Sequence, residues 1–440
     1  MSDPTPRRES PLPVRPVEGL TRPLRRFLHV EAAGGVILLV ATIAALVAGN
    51  SAAADRYRAF FETRVVLGLG SFVLDYPLWY WINDGLMAIF FFVIGLEIKR
   101  ELVHGELRDR RNVVLPLVAA VGGAAVPVAI YLALQPSAPG SSGWAVPMAT
   151  DIAFVVGALA LLGDRVPPPL KIFMLSLAII DDMLAVLVIA LFFSESIQPA
   201  YLAAAAGGFG LVVLLNRIGV RRVAVYAFVG VFIWVCTLKS GLHPTVAGAL
   251  LGLLTPASAW IGDATLLQAV DGALARLRGG ADGGASRREA AEDLAIAATE
   301  SVSPLARLEA ALHPWVGFAI MPVFALANAS VAVSAAGFTE GIAVAVMAGL
   351  VLGKPIGIAG AALLACRLGL ARLPEGTSPG ALLGAACLGG IGFTMALFIA
   401  SLSLAGESLD AAKAGILAGS AASLVLGMSI LFVSLRRRER

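Results

Sequence analysis

Two adjacent carboxylates stand in the middle of a long apolar run and are the residues best suited to do chemistry. Asp181 and Asp182 lie in LKIFMLSLAIIDDMLAVLVIALFF, about eleven residues from each end of that run. An ionisable residue deep in a membrane-like segment is costly, so it is a functional candidate by default. An ionised carboxylate can bind a hard cation such as sodium, and the same group can instead take up a proton.

The two carboxylates cannot act as a single clamp. Neighbouring residues on an α-helix point about 100° apart, so one can face a cavity while the other faces another helix. Lys354, within MAGLVLGKPIGIAGAALL, is the candidate partner for the second carboxylate, because an unpaired buried charge is costly.

Further ionisable residues lie in or beside apolar runs. They are Asp84, Glu97, Lys99, Glu101, Asp151, His243, Glu309 and His313. Two interpretations stay open for several of them. The charges from Glu97 to Glu101 also fit side chains that reach the membrane interface. The histidines also fit satisfied polar residues near that interface.

The composition shows which elements must position these residues. Hydrophobic residues make up 58% of the 440 residues and charged residues only 14%. A soluble domain needs about 25% charged residues to cover its surface, so we predict an all-α polytopic membrane protein. Scanning for runs of about 20 apolar residues predicts twelve spans. These are 30–49, 78–102, 112–134, 144–163, 169–193, 200–216, 222–238, 241–256, 309–333, 340–366, 379–401 and 409–435.

The distribution of basic residues predicts the orientation. With both termini placed in the cytoplasm, 27 of the 33 basic residues fall on the inner side. Only Arg56, Arg58, Arg64 and Lys239 fall outside, and Lys354 and Lys413 lie within spans. The net charge of +3 is too small to favour a nucleic-acid partner. Cys236, Cys366 and Cys387 lie in apolar runs without metal-ligand spacing.

The segments outside the spans have distinct compositions. Residues 1–29 are expected to be a disordered cytoplasmic tail, and 436–440 a basic cytoplasmic C-terminus. Between them, 30–435 form the transmembrane domain. Its outer loop 50–77 has the composition of a β-hairpin. Its cytoplasmic loop 257–308 is expected to be a solvated connector with one short amphipathic helix, REAAEDLAIAATE.

Two spans carry helix-breaking residues near their centres. Pro147 precedes Thr150 and Asp151, and Gly389, Gly390 and Gly392 cluster in the eleventh span. Broken helices at this depth are tolerated where they line a cavity or are buried in protein. We therefore predict two interrupted helices crossing at the midplane within inverted repeats, with Asp151 balancing positive helix ends and Lys354 negative ones.

Seven blocks of the chain resemble the bacterial NhaA-type sodium/proton antiporter family. They are NDGLMAIFFFVIGLEIKREL, ATDIAFVVGALALLGDRVP, LKIFMLSLAIIDDMLAVLVIALFF, LKSGLHPTVAGALLG, LEAALHPWVGFAIMPVFALANA, LGKPIGI and GGIGFTMALFIASL. The blocks run in family order across residues 30–435.

The resemblance implies a function and a site. It implies a secondary transporter, not an enzyme, that exchanges cytoplasmic sodium or lithium for external protons. Such exchange would be electrogenic and pH-regulated, and would serve sodium extrusion and pH homeostasis. Asp182 would be the principal site for sodium and protons, with Asp181 and Thr150 beside it and Lys354 paired with Asp181. Asp151 would balance helix ends. The residues of an entrance and pH-response region would be Asp84, Glu97, Glu101, His243 and Glu309.

The resemblance also implies the location and the oligomeric state of the protein. The chain would be a homodimer in the lipid bilayer of the bacterial inner membrane, with no cofactor. One departure from some family members is Ala310, where those members have a histidine after the residue that Glu309 matches.

Three other function classes fit the residues less well. A proton-coupled solute carrier should bring more polar or aromatic groups to a larger cavity. An intramembrane aspartyl protease needs two aspartates on different helices, and both GxGD and HExxH are missing from the sequence. A passive channel needs a ring of carboxylates or carbonyls.

Overall fold

The computed structural model describes residues 31–69, 72–108, 110–194, 196–220, 222–278, 284–331 and 335–436. The tail predicted at 1–29, and the basic terminus apart from Arg436, lie outside the described residues. The described chain is helical except for one pair of strands and the connecting turns.

The elements are numbered here in chain order. The helices up to the middle of the chain are α1 (Glu31–Gly49), α2 (Ala54–Glu62), α3 (Leu78–Val103), α4 (Arg110–Leu134), α5 (Ile152–Leu162), α6 (Pro168–Phe192), α7 (Pro199–Arg217), α8 (Val223–Ser240) and α9 (Pro244–Leu254). The later helices are α10 (Asp263–Arg278), α11 (Gly284–Glu300), α12 (Pro304–Asn328), α13 (Ala335–Thr339), α14 (Gly341–Arg367), α15 (Pro379–Leu388), α16 (Phe393–Ser403) and α17 (Gly406–Arg436). Short 3₁₀ helices are Glu106–Arg108, Gly140–Met148 and Gly163–Arg165, and the strands are β1 (Arg64–Leu69) and β2 (Phe72–Pro77).

The polytopic all-α architecture is confirmed at the level of helix length and apolarity. Within the described ranges, nine helices are long and apolar enough to cross a membrane, or eleven if each of two bent pairs counts as one span. The bent pairs are Ala33–Gly49 with Ala54–Glu62, and α15 with α16. The shorter apolar helix α9 lies at the eighth predicted span. The count of twelve stays a prediction.

Proline starts several of these helices. Pro168, Pro199, Pro244 and Pro379 each occupy the first turn of their helix. A proline costs nothing there, because its missing N–H would have no partner inside the helix. The prolines therefore set where α6, α7, α9 and α15 begin.

Helix α16 and the middle of α6 are buried. Every residue from Phe393 to Ala400 is buried, and most of α6 around Asp181 is also buried. The helices α7 and α8 pack against each other and bury few of their side chains. The ionisable pair therefore lies in the interior of the bundle, and α7 and α8 lie at its periphery.

A close approach between α4 and α14 positions Lys354. A Cβ on Gly357 would lie 2.7 Å from the carbonyl carbon of Gly122, so any larger residue would push the helices apart. Small residues allow backbones to approach in this way in membrane proteins. The segment Gly349–Gly353, directly before Lys354, is a π-helix, and Asp84 lies in another π-helix, Trp81–Leu86. Such turns occur often at functional sites.

Two segments outside the apolar helices also have regular structure. In 50–77, β1 and β2 pair antiparallel from Arg64 opposite Pro77 to Leu69 opposite Phe72. In 257–308, two helices pack together, and Arg276 of α10 pairs with Asp293 of α11 at 2.8 Å. The expectation of a single short helix there was incomplete, because α10 is a second one.

Candidate functional site

The carboxylates of Asp181 and Asp182 have different surroundings. Both residues are buried, with 2% and 3% of their surface exposed. Lys354, which is fully buried, donates from Nζ to Oδ2 of Asp181 at 2.8 Å. The other oxygen of Asp181 has no hydrogen-bond partner among the described residues. Asp181 is thus the neutralised member of the pair.

Asp182 lies among charges without a hydrogen-bond donor of its own. It interacts electrostatically with Asp181, Glu97, Asp151 and Lys354, of which three are acidic. In the part of the chain that the structure describes, the interactions of its carboxylate are electrostatic, and no hydrogen bond to it is found. Its oxygens are therefore available to a proton or to a cation.

Two breaks in the helical backbone meet beside this pair. Residues 149–151 separate the 3₁₀ helix Gly140–Met148 from α5, and residues 389–392 separate α15 from α16, with a bend of 47°. The backbone N–H of Asp151 donates to the carbonyl of Ile391 at 2.7 Å. The hydroxyl of Thr150 donates to the carbonyl of Gly389 at 2.8 Å. Thr150 and Asp151 are each 1% exposed, so these bonds join the two breaks in the interior.

Asp151 caps both helices that start at these breaks. Its Oδ1 accepts the backbone N–H groups of Ala153 and Phe154, at 3.1 and 3.4 Å, in the first turn of α5. Its Oδ2 accepts the N–H of Thr394 at 3.1 Å and, in a short contact, the hydroxyl of Thr394, in the first turn of α16. One carboxylate therefore faces two positive helix ends.

Lys354 was predicted to balance the negative helix ends at the breaks, and this role stays a prediction. Its ammonium contacts Asp181, while carbonyls that follow α15 accept from Thr150 and from the backbone of Asp151. Thr150 and Asp151 thus bond to carbonyls that follow α15.

The residues predicted for the entrance and pH response fall into two groups. At the C-terminal end of α3, Arg100 bonds to Glu309 of α12 in a short contact and to Glu101 at 3.2 Å. Glu97 interacts electrostatically with Glu309, Arg100 and Glu101. Glu97, Glu101 and Glu309 are thereby brought together, and Glu97 also connects electrostatically to Asp182.

Asp84 and His243 form the second group. The Nε2 of His243 lies 3.5 Å from Oδ1 of Asp84, and its Nδ1 lies 2.7 Å from the hydroxyl of Thr245. Asp84 precedes Glu97 by thirteen residues on α3, which is roughly 20 Å along a helix. The two groups are therefore separate.

An aromatic cluster adjoins the Asp84–His243 pair. The ring of Phe398, on α16, lies 5.5 Å from His243, 5.6 Å from Phe91 and 6.2 Å from Phe324. These contacts connect α16 to α3, to the residue that precedes α9, and to α12.

Several residues at the site were missed from the sequence. Thr394 completes the capping of α16, and Ser420 of α17 accepts the N–H of Phe393 at 3.1 Å. Asn83 and Asn328 exchange side-chain hydrogen bonds at 2.7 and 3.2 Å beside Asp84. The one signal for Thr394 was its position directly after the glycine-rich break.

Comparison with known proteins gives consistent matches over nearly the whole chain. A family model described as Na+/H+ antiporter 1 matches residues 25–431. The chain is 47% identical over 439 residues to the Na(+)/H(+) antiporter NhaA of Rhodopirellula baltica, covering 98% of each sequence. It is 50% identical over 427 residues to Na(+)/H(+) antiporter NhaA 2 of Sorangium cellulosum, covering 95% of this chain and 91% of that one. It is 45% identical over 425 residues to the NhaA antiporter of Rhizobium meliloti, covering 96% and 97%.

Proposed function

Because the chain belongs to the family of NhaA Na+/H+ antiporters, we propose that it exchanges cytoplasmic sodium, or lithium, for external protons across the bacterial inner membrane. The family predicted from seven sequence blocks is thereby confirmed. The exchange is electrogenic and pH-regulated, and it serves sodium extrusion and pH homeostasis. The protein works as a homodimer with both termini in the cytoplasm.

The observation that supports this proposal most directly is the asymmetry of the carboxylate pair. Asp181 is bonded to Lys354 at 2.8 Å, whereas no hydrogen bond to Asp182 is found among the described residues. A carboxylate in acidic surroundings attracts a cation or a proton, and it cannot hold both. Sodium and protons therefore compete for Asp182, with Asp181 as the neighbouring cation ligand.

The proposed site takes its oxygen ligands from three residues. Sodium is a hard cation that prefers oxygen ligands. The carboxylate of Asp182, the unpartnered Oδ1 of Asp181 and the hydroxyl of Thr150 offer such oxygens. Asp151 stays with the two helix ends and does not bind the cation. Its contacts to Thr394 keep the two breaks in register.

The proposed cycle alternates the access of one site. Cytoplasmic sodium displaces protons from Asp182, the protein changes its access, and external protons then displace sodium. At low pH protons occupy the site and transport stops. The cluster of Glu97, Glu101 and Glu309 with Arg100 shapes the field at the cytoplasmic entrance, and Asp84 with His243 forms the other part of the response region.

The test uses purified protein in liposomes containing a pH-sensitive dye. A sodium gradient should move protons in the wild type, lithium should replace sodium, and Asp182→Asn should stop both. The control Asp293→Asn changes an exposed carboxylate in α11 and should leave the exchange intact. A wild type that ignores both cations between about pH 6.5 and 8.5 contradicts the proposal and favours a proton-coupled carrier of another solute.

A further inference from the structure

Helix α17 places two serines against the break between α15 and α16. Ser420 and Ser423 are three residues apart and so lie on one face of the helix. The hydroxyl oxygen of Ser420 accepts the N–H of Phe393, the first residue of α16, at 3.1 Å. Ser423 is 1% exposed, and its hydroxyl has no hydrogen-bond partner within the described ranges.

The unpartnered hydroxyl is directed at the broken backbone. A Cβ on Gly390 would lie 2.6 Å from Oγ of Ser423, so the serine is in contact with this glycine. On another side of the break, a Cβ on Gly392 would lie 3.0 Å from the carbonyl oxygen of Ala149. The segment 389–392 is therefore enclosed between the other break and the two serines of α17.

A serine at this position is less favourable than alanine if its only role is packing. A buried hydroxyl without a partner destabilises the fold, and alanine would fill nearly the same volume without that penalty. The neighbouring Ser420 shows that a hydroxyl on this face can bond to the backbone of the break.

In the membrane interior, a free hydroxyl can replace a backbone hydrogen bond that is lost when the break changes conformation. Backbone groups at this depth must bond within the protein, because no water replaces a lost partner. Thr150 and Asp151 now bond to the carbonyls of Gly389 and Ile391. A change of access that loosens either bond needs another partner for the exposed backbone group.

We infer that Ser423 is a positioning residue for the exchange. Its hydroxyl bonds to the backbone of 389–392 in the second access state, while Ser420 holds the start of α16 in the state described here. This inference rests on the proposed function. It adds a residue that does not touch the cation and that acts through the break which contacts Thr150 and Asp151.

The expected effect follows from the strength of one hydrogen bond. Losing it shifts the ratio of two conformers by about two- to tenfold. Ser423→Ala should therefore lower the maximal exchange rate by about that factor, and the apparent sodium affinity should change far less. Ser423→Ala should keep or raise the wild-type melting temperature, since no bond is lost in the described state and an unpartnered hydroxyl is removed. Ser423→Thr retains the hydroxyl and should restore the rate.

The experiment compares four variants in liposomes and by thermal unfolding. Ser420→Ala removes an existing bond and should lower the melting temperature. Ser434→Ala is the matched control, because Ser434 is also on α17 but lies beside Gly380 at the start of α15. Its rate should equal that of the wild type.

Three results would overturn the inference. These are a wild-type rate in Ser423→Ala, a melting temperature in Ser423→Ala as low as in Ser420→Ala, or a stable Ser423→Thr that stays slow. A wild type without any exchange contradicts the proposed function instead. Hydrogen–deuterium exchange of 389–394 then tests Ser423 separately. Equal protection in the wild type and Ser423→Ala, with and without sodium, overturns its role, and a loss of protection in only one condition supports it.

Discussion

At the scale of single residues, one carboxylate replaces two separate helix caps. A helix N-terminus carries roughly half a positive charge, so the ends of α5 and α16 together present about one. The single negative charge of Asp151 matches that sum, and its two oxygens divide between the two helices. The same side chain therefore balances charge and joins the two breaks.

Replacing Asp151 should cost more than replacing an ordinary cap. An N-cap typically contributes about 1 kcal/mol to the free energy of unfolding. Asp151→Ala removes the cap of two helices, so it should lower that free energy by about 2 kcal/mol or more. Asp151→Asn keeps one acceptor and should lose less. Thermal and denaturant unfolding in detergent measure the difference. The matched control is Ser378→Ala, which removes a single cap from α15. Equal losses for Asp151→Ala and Ser378→Ala would contradict double capping.

The buried pair of Asp181 and Lys354 predicts a second stability pattern. Removing one partner of a buried ion pair leaves an uncompensated charge and typically costs about 3–5 kcal/mol. Asp181→Asn and Lys354→Gln should each destabilise strongly, and the double variant should recover most of the loss because both groups become neutral. Thermal unfolding of the three proteins tests this. Lys413→Gln, a partly buried lysine of α17, is the control. A double variant as unstable as the sum of the singles would exclude the pairing.

Which residues could be predicted depended on how each signal appears in the sequence. Asp181, Asp182 and Lys354 stand out because charge is rare in apolar runs. Lys354 and Asp181 are 173 residues apart, and only the fold shows that they touch. Thr394 and Ser420 carry no charge and are ordinary in membrane helices, so spacing alone could not assign them.

At the scale of elements, the apolar runs predicted where helices lie but not how they meet. Each predicted span overlaps a helix, because length and apolarity decide both. Pro147 and the glycines at 389–392 indicated the two breaks. The bonds between those breaks depend on the packing of distant segments and could not be predicted. Helix α10 was missed because it lies in a segment interpreted as a solvated connector.

The aromatic contacts of α16 predict a role in the packing of that helix. Phe398 is fully buried and touches Phe91, His243 and Phe324. Phe398→Ala should lose about 3–5 kcal/mol, as is typical for phenylalanine in a packed core, and Phe398→Leu should lose less. Phe398→Ala should also raise the sodium-independent proton leak, because the cavity left beside His243 can admit water. Phe228→Ala is the control, since Phe228 is 79% exposed on α8. If Phe398→Ala kept the wild-type free energy of unfolding and showed no added proton leak, the aromatic cluster would have no role in the packing of α16.

At the scale of the whole molecule, the charges that move decide how the membrane potential acts. If two protons enter for each sodium ion that leaves, one positive charge moves inward per cycle. Asp182 can take up only one of these two protons, so the second must bind at the adjacent Asp181–Lys354 pair, whose members neutralise each other in the described state. A potential that is negative inside then drives extrusion.

Sodium-loaded liposomes test this coupling. Each 100 mV is worth about 2.3 kcal/mol per charge, so it should support a roughly 50-fold larger sodium gradient at equilibrium. A potassium diffusion potential made with valinomycin, negative inside, should accelerate sodium efflux, and the opposite polarity should slow it. Liposomes with Asp182→Asn control for leak. Efflux that is independent of the potential would mean equal numbers of protons and sodium ions, and Asp182 would then bind one proton for each sodium ion it releases.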